Sequence, residues 1–247
     1  MTSPGVRIGW RHPYGAGSAS AVLAFAPAHD VVHPQPGPAT TYADRVGRMR
    51  GVLERPEGLD YRADMLSPDE EREVLAVVER LDLREVQMRG QTARRTVQHF
   101  DLEYGYESWQ LAPAEPLPES LEWLRERCAE FAGIASAAFA QTLVTRYPPG
   151  ATIGWHRDAP VFGPVVVGVS LRAACLLRFQ RRVGEQRRVY EAELAPRSAY
   201  LLTGSARSAW QHSIPPVPAL RYSITFRTLR RQRQAGGPAA RSPEASP

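Results

Sequence analysis

The chain has 247 residues, a formal net charge of +5 and a sequence pI near 9.5. All 31 basic residues are Arg, with no Lys and no Asn anywhere, a bias of the whole chain rather than of one face. No apolar run reaches the ~18 residues of a membrane helix, and two cysteines, Cys128 and Cys175, are too few for a disulfide framework. These features exclude a membrane-spanning helix and a disulfide-stapled secreted domain. They indicate a monomeric, cytoplasmic protein of one domain with tails and buried thiols. The positive balance favours an anionic partner such as nucleic acid.

Residues 1–55 are rich in Gly, Pro, Ala, Ser and His without sustained periodicity, the composition of a disordered extension. His12, His29 and His33 fall at no metal-ligand spacing and read as solvated side chains. Folded structure is expected from about residue 56. Leu59 to Met65 can form a strand. Ser67-Pro68-Asp69-Glu70 is a capping box with Pro at the first helical position, opening a helix to about Leu81. Val86 to Val97 reads as two short strands around a turn at Gly90. Its Arg89, Gln91, Arg94 and Arg95 suit either phosphate contact or a solvated hairpin. Tyr104 and Tyr106 share one face of an extended segment, where they can stack an unpaired base or pack on the core. Pro116 and Pro118 precede a helix over Glu119 to Ala132, with Leu121, Leu124, Cys128 and Phe131 at helical spacing.

From Phe139 the pattern turns to strands. The candidates are Leu143 to Tyr147, Val165 to Leu171, Ala174 to Gln180, Arg188 to Leu194, Ser198 to Leu202 and Leu220 to Leu229, with a hairpin turn around Gly184. Two short segments that carry histidines bring the count to about eight, which suits two facing sheets. Residues 231–247 have the composition of a disordered basic tail.

Chemistry concentrates in two stretches. After the Pro148-Pro149-Gly150 turn, His156 and Asp158 stand two residues apart, on one face of an extended chain. His212 supplies a third ligand, and two His with one carboxylate form the facial triad that holds non-haem Fe(II) with positions open for O₂ and a co-substrate. Nine residues on, alternation in Arg221-Tyr-Ser-Ile-Thr-Phe-Arg227 places Arg221, Ser223, Thr225 and Arg227 on one strand face. Two arginines with hydroxyls between them suit a dianionic acid, because guanidinium grips carboxylate bidentately.

H-x-D, a later His and R-x-x-x-x-x-R, in the form RYSITFR, together resemble the AlkB family of Fe(II)- and 2-oxoglutarate-dependent dioxygenases. The likeness covers roughly residues 56–230. It implies an α+β, mainly β fold, with a double-stranded β-helix (jelly-roll) core over 139–230 and lid and support helices over 56–138. The implied cofactors are Fe(II), 2-oxoglutarate and O₂, and the implied reaction is oxidative dealkylation of nucleobases in DNA or RNA, as in DNA repair. By the same resemblance His156, Asp158 and His212 bind the metal, while Tyr147, Thr145, Arg221, Arg227, Ser223 and Thr225 line the 2-oxoglutarate site. Substrate contacts fall to Arg89, Arg94, Arg95, Tyr104 and Tyr106, and single-stranded nucleic acid is the expected partner. The chain departs from the family pattern in two places. Thr145 stands where Asn is common, and Ala159 and Pro160 stand where base-repairing members often carry an acidic residue. The alternatives are an oxygenase acting on a protein or small molecule, and a nucleic-acid-binding module without catalysis.

Overall fold

The computed structural model describes residues 55–230 apart from Arg89, Tyr106, Glu107 and Trp109. The expected N-terminal extension and C-terminal tail therefore lie outside the described residues, as do two of the five expected substrate contacts, Arg89 and Tyr106.

Two antiparallel sheets face each other. The larger has seven strands in the order β1 (Leu59–Arg62), β11 (Ala199–Leu202), β8 (Phe162–Leu171), β13 (Arg221–Leu229), β6 (Phe139–Tyr147), β3 (Gln91–Phe100) and β2 (Arg84–Met88). The smaller has the order β10 (Gln186–Leu194), β9 (Cys175–Val183), β12 (Gln211–Ile214) and β7 (Ile153–His156). A separate ribbon pairs β4 (Leu102–Tyr104) with β5 (Leu111–Pro113). This is the expected mainly-β jelly roll, and the eight strands read from Phe139 onward are present as β6 to β13. The residues before Phe139 supply two helices and also extend the large sheet. Val97 pairs with Thr145 and Leu59 with Leu202, so β1 and β3 are part of the large sheet itself.

Alternation along the strands sorts side chains between two cores. Tyr222, Ile224 and Phe226 of β13 pack outward with Val144, Val167 and Val169 against the helices α1 (Pro68–Val78) and α2 (Glu122–Ala132). Val74, Val78, Leu124 and Cys128 are the helical half of that core. Full burial of each such apolar side chain stabilises the fold by roughly 1.5–3 kcal/mol. Between the sheets, Leu177, Phe179, Leu194, Trp210 and Ile214 meet Tyr147, Val166 and Leu202. Both cysteines are buried and free, and burial pushes their thiols up.

The first helix starts where the sequence says. Ser67 Oγ accepts from the Glu70 amide, and Glu70 accepts from the Ser67 amide at 2.8 Å, closing the capping box. Glu70 also accepts from Arg127 of α2 at 2.7 Å, tying the two helices together. The first helix ends at Val78 rather than Leu81, because the next amides turn back to Val77 and Val78. Residues Glu119–Leu121 form a 3₁₀ turn before α2 begins at Glu122. At Pro148-Pro149-Gly150 the Ala151 amide reaches the Pro148 carbonyl at 2.9 Å with Gly150 at φ +80°. A third-position φ of that sign is one that glycine adopts without strain, so the turn delivers β7 in a defined direction. Among the described residues no helix is long and apolar enough to cross a membrane.

Candidate active site

β7 and β12 are antiparallel neighbours, and their register sets His156 opposite His212. The two imidazole centroids are 4.2 Å apart. Asp158 follows two residues after His156, and the ligand atoms of the three side chains all lie within 4.8 Å of one another. Local alternation unites His156 and Asp158; only strand pairing adds His212. His156 donates from Nδ1 to the Gly154 carbonyl at 2.9 Å, which leaves Nε2 to face a metal. Burial, then the neighbouring His156, brings His212 down to about 3, so it is neutral and able to ligate at neutral pH.

Asp158 is held ionised. Its side chain is 6% exposed, and burial alone would push the carboxyl up. Arg227, through an Nη2 to Oδ1 bond of 3.0 Å, leads the neighbouring groups that together outweigh it, and the carboxyl sits well below the usual carboxylate range. Arg227 Nη1 donates to Gln141 at 2.9 Å. The fully buried Gln141 amide in turn donates to His99 Nδ1 at 3.1 Å and to the Leu102 carbonyl at 3.1 Å. Arg207, on the short helix α3 (Gly204–Ser208), donates to the carbonyls of Ala159 at 3.2 Å and Phe162 at 3.0 Å. It pins the loop that carries Asp158.

The inward face of β13 is the one read from sequence. Register partners on β6 are Tyr147 for Arg221, Thr145 for Ser223, Leu143 for Thr225 and Gln141 for Arg227. Arg221 is 1% exposed, with its guanidinium 4.7 Å from the Tyr147 ring centroid. It donates to Ser170 Oγ from Nε at 3.3 Å and from Nη2 at 3.2 Å, while Nη1 is buried without a partner. A buried guanidinium with an unused donor is a costly arrangement unless an anion completes it. Ser223 and Tyr147 bring their hydroxyls to 3.5 Å. This donor set fits the far carboxylate of 2-oxoglutarate, and the triad fits Fe(II).

Tyr200, unremarked in the sequence, stands on the same inward face. A Cβ at Gly168, its partner across β11 and β8, would fall 2.3 Å from the Tyr200 ring, so glycine there makes room for the tyrosine. Burial, with Tyr147 and Asp158 nearby, pushes its phenol up.

A cleft of about 830 Å³ is lined by Val97, Gln98, His99, Glu103, Tyr104 and Glu115 among others. Tyr104 is 8% exposed and packs on Phe162 with centroids 5.6 Å apart. Phe162 in turn lies under Arg227, 5.0 Å from its guanidinium. Burial, then Arg227, brings His99 down to about 4. Two of its lining residues are thus linked to Arg227 by packed side chains, Tyr104 through Phe162 and His99 through Gln141. Of the other expected substrate residues, Arg94 turns toward the turn at Gly150, where its Nη1 would be 2.6 Å from an added Cβ. Arg95 is half-buried on β3, and neither lines this cleft. His99, Gln141, Arg207 and Tyr200 escaped the sequence reading. His99 had a signal in its shared strand face with Val97, and Gln141 in its shared face with Leu143, Thr145 and Tyr147.

The profile of the 2OG-Fe(II) oxygenase superfamily matches residues 58–227. The chain belongs to this superfamily. Its relatives are AlkB-like. It is 29% identical over 181 residues to "Alkylated DNA repair protein ALKBH8 homolog" of Arabidopsis thaliana, covering 64% of this chain and 51% of that one. It is 29% identical over 167 residues to "tRNA (carboxymethyluridine(34)-5-O)-methyltransferase alkbh8" of Xenopus tropicalis, covering 65% of this chain and 26% of that one. The chain therefore spans about half, or less, of the curated relatives it matches. In fold it resembles OsALKBH1, with a TM-score of 0.53 at 14% identity over 71% of this chain and 98% of that one. It also resembles a Pseudomonas putida prolyl-4-hydroxylase, with a TM-score of 0.50 at 16% identity over 71% and 94%. Fe(II), 2-oxoglutarate and O₂ are the cofactors that membership of this superfamily implies.

Proposed function

We propose that this oxygenase oxidatively dealkylates nucleobases in single-stranded nucleic acid. The observation that carries the reading is the cleft lined by Tyr104 and His99, two residues linked by side-chain contacts to Arg227 and so to Asp158; the cleft offers an aromatic wall to a flat ligand. The names of the AlkB-like relatives and the basic charge support it.

In this reading His156, Asp158 and His212 hold Fe(II), and Arg221 takes the far carboxylate of 2-oxoglutarate with help from Tyr147 and Ser223. Thr145 and Thr225 line the same face. When bound, Fe(II) with 2-oxoglutarate and O₂ supplies an oxidant able to break a C–H bond. The chain contributes placement. Arg227 fixes the orientation of Asp158, Arg207 holds its loop, and Tyr104 and Phe162 exclude water from one side of the centre. A hydroxylated N-alkyl carbon then leaves the base as an aldehyde. A base must leave its stack to reach a centre between two sheets, and a single strand lowers that cost by roughly a few kcal/mol.

Ala159 and Pro160 offer no acidic group to an exocyclic amine, and several relatives are named as tRNA methyltransferases. These observations favour, as a second reading, a base in tRNA over a lesion in DNA. Mass spectrometry on oligonucleotides bearing 1-methyladenine, 3-methylcytosine or an etheno adduct, as DNA and as RNA, tests both. Conversion to the unmodified base should require Fe(II) and 2-oxoglutarate and should weaken in Tyr104→Ala. Normal 2-oxoglutarate turnover with no base converted in either polymer would overturn the nucleic-acid reading in favour of a protein or small-molecule substrate.

A further inference from the structure

On the other side of the small sheet lies a pocket of about 410 Å³. Its lining includes Arg157, Arg181, Arg182 and Arg187 with Gln180 and Gln211, and no carboxylate. Gln180 and Gln211 are register partners whose amides join at 2.8 Å. Each follows or precedes a residue that faces the metal site, Phe179 and His212, so alternation turns the two amides to the opposite face of the sheet. Arg157 lies between the ligands His156 and Asp158, where the chain leaves β7, the edge strand of that sheet. The pocket therefore begins one residue from the iron ligands and runs onto the β9–β10 hairpin.

Its electrostatics are unusual even for an arginine-rich chain. Arg157 spends one donor on the Ser208 carbonyl at 3.3 Å, and Arg187 lies 5.9 Å from the Trp155 ring centroid. None of the four takes part in an ion pair among the described residues. Four like charges around one hollow repel one another, and no carboxylate lines the hollow to offset that repulsion. A polyanion would. Guanidinium forks match phosphate oxygens, and two primary amides add neutral donors suited to a phosphodiester.

We propose that this pocket is a backbone-phosphate site. It holds the single-stranded nucleic acid that flanks the base entering the iron centre, as the strand passes around the β7 edge. The inference rests on the nucleic-acid reading above. It shifts the phosphate contacts from the Arg94 and Arg95 region, read from sequence, to the hairpin of the small sheet.

The test uses the full chain and compares wild type with Arg182→Gln and with the triple variant Arg181→Gln/Arg182→Gln/Arg187→Gln. Arg80→Gln, on the exposed end of the first helical region, is the control. Binding of an unmodified 20-nucleotide single strand is followed by fluorescence anisotropy across a salt series. Each lost phosphate contact lowers the slope of log K against log salt by about 0.7 for single strands, so the triple variant should lose about 2 from the slope. Its affinity at low salt should fall roughly tenfold or more, with a smaller loss in Arg182→Gln and none in the control. Far-UV circular dichroism checks that the variants fold, and the single variant keeps the test open if the triple does not. If wild type binds and both variants match it in affinity and slope, the pocket assignment is overturned while the nucleic-acid reading stands. If wild type binds no oligonucleotide, both are overturned.

Discussion

Arg227 donates to Oδ1 of Asp158 at 3.0 Å, and both side chains are almost enclosed. The pair makes one candidate metal ligand dependent on a residue 69 positions away. Arg227→Gln should therefore weaken Fe(II) binding by roughly 10–100-fold, as removal of groups that orient a ligand typically does. Titration of the apoprotein with Fe(II) under anaerobic conditions reads this directly. Unchanged affinity would mean that Asp158 is oriented by its loop and Arg207 alone.

His156→Ala removes a candidate ligand that is only partly buried and bonds locally to Gly154. The variant should fold, bind no stoichiometric Fe(II) and release no succinate from 2-oxoglutarate. Wild-type iron content in the folded variant would remove His156 from the triad.

Arg221 carries a buried donor without a partner. Arg221→Met keeps the stem and discards the charge, so the ligand-free protein should melt no lower than wild type. 2-Oxoglutarate should no longer raise the melting temperature, and its apparent KM should rise roughly tenfold or more, the equivalent of a lost charge-assisted hydrogen bond. A variant that melts much lower but keeps its KM would show that Arg221 serves the fold alone.

Gly168 leaves room for the Tyr200 ring. Gly168→Ala places a methyl group 2.3 Å from that ring, an overlap that backbone and tyrosine must share. We expect a loss of about 1–3 kcal/mol in denaturant unfolding, largely recovered in Gly168→Ala/Tyr200→Ala. Equal destabilisation in the single and double variants would place the strain elsewhere.

Glu70 accepts from Arg127 and from its own helix cap, and Arg127 first, then the Ser67 amide, lower its carboxyl from an ordinary 4.5 to about 2. A depressed folded-state pKa stabilises the fold above the unfolded value and ceases to do so as pH falls through the folded one. Glu70→Gln should thus melt below wild type at neutral pH, with the gap closing between 4.5 and about 2. A gap that stays constant across that range would assign the loss to packing rather than charge.

The sequence by itself determined what short-range geometry can express. Two-residue alternation set Arg221, Ser223, Thr225 and Arg227 on one face and Tyr222, Ile224 and Phe226 on the other, and the structure keeps both sets. The same rule united His156 with Asp158, and the capping box at Ser67 marked the first helix start to the residue. Strand pairing and chain reversal lie beyond that range. The β12–β7 register brings His212 opposite His156, and β13 returning beside β6 sets Arg227 against both Gln141 and Asp158. Arg207 anchors the Asp158 loop from a five-residue helix without a motif, and Tyr200 declares itself only through the space at Gly168. In a chain whose every Lys-or-Arg position is Arg, nothing local singles out Arg157, Arg181, Arg182 or Arg187. Which of them gather around one unpaired hollow is decided by where the β9–β10 hairpin meets the loop after β7, because contacts between distant segments have no signature in local periodicity.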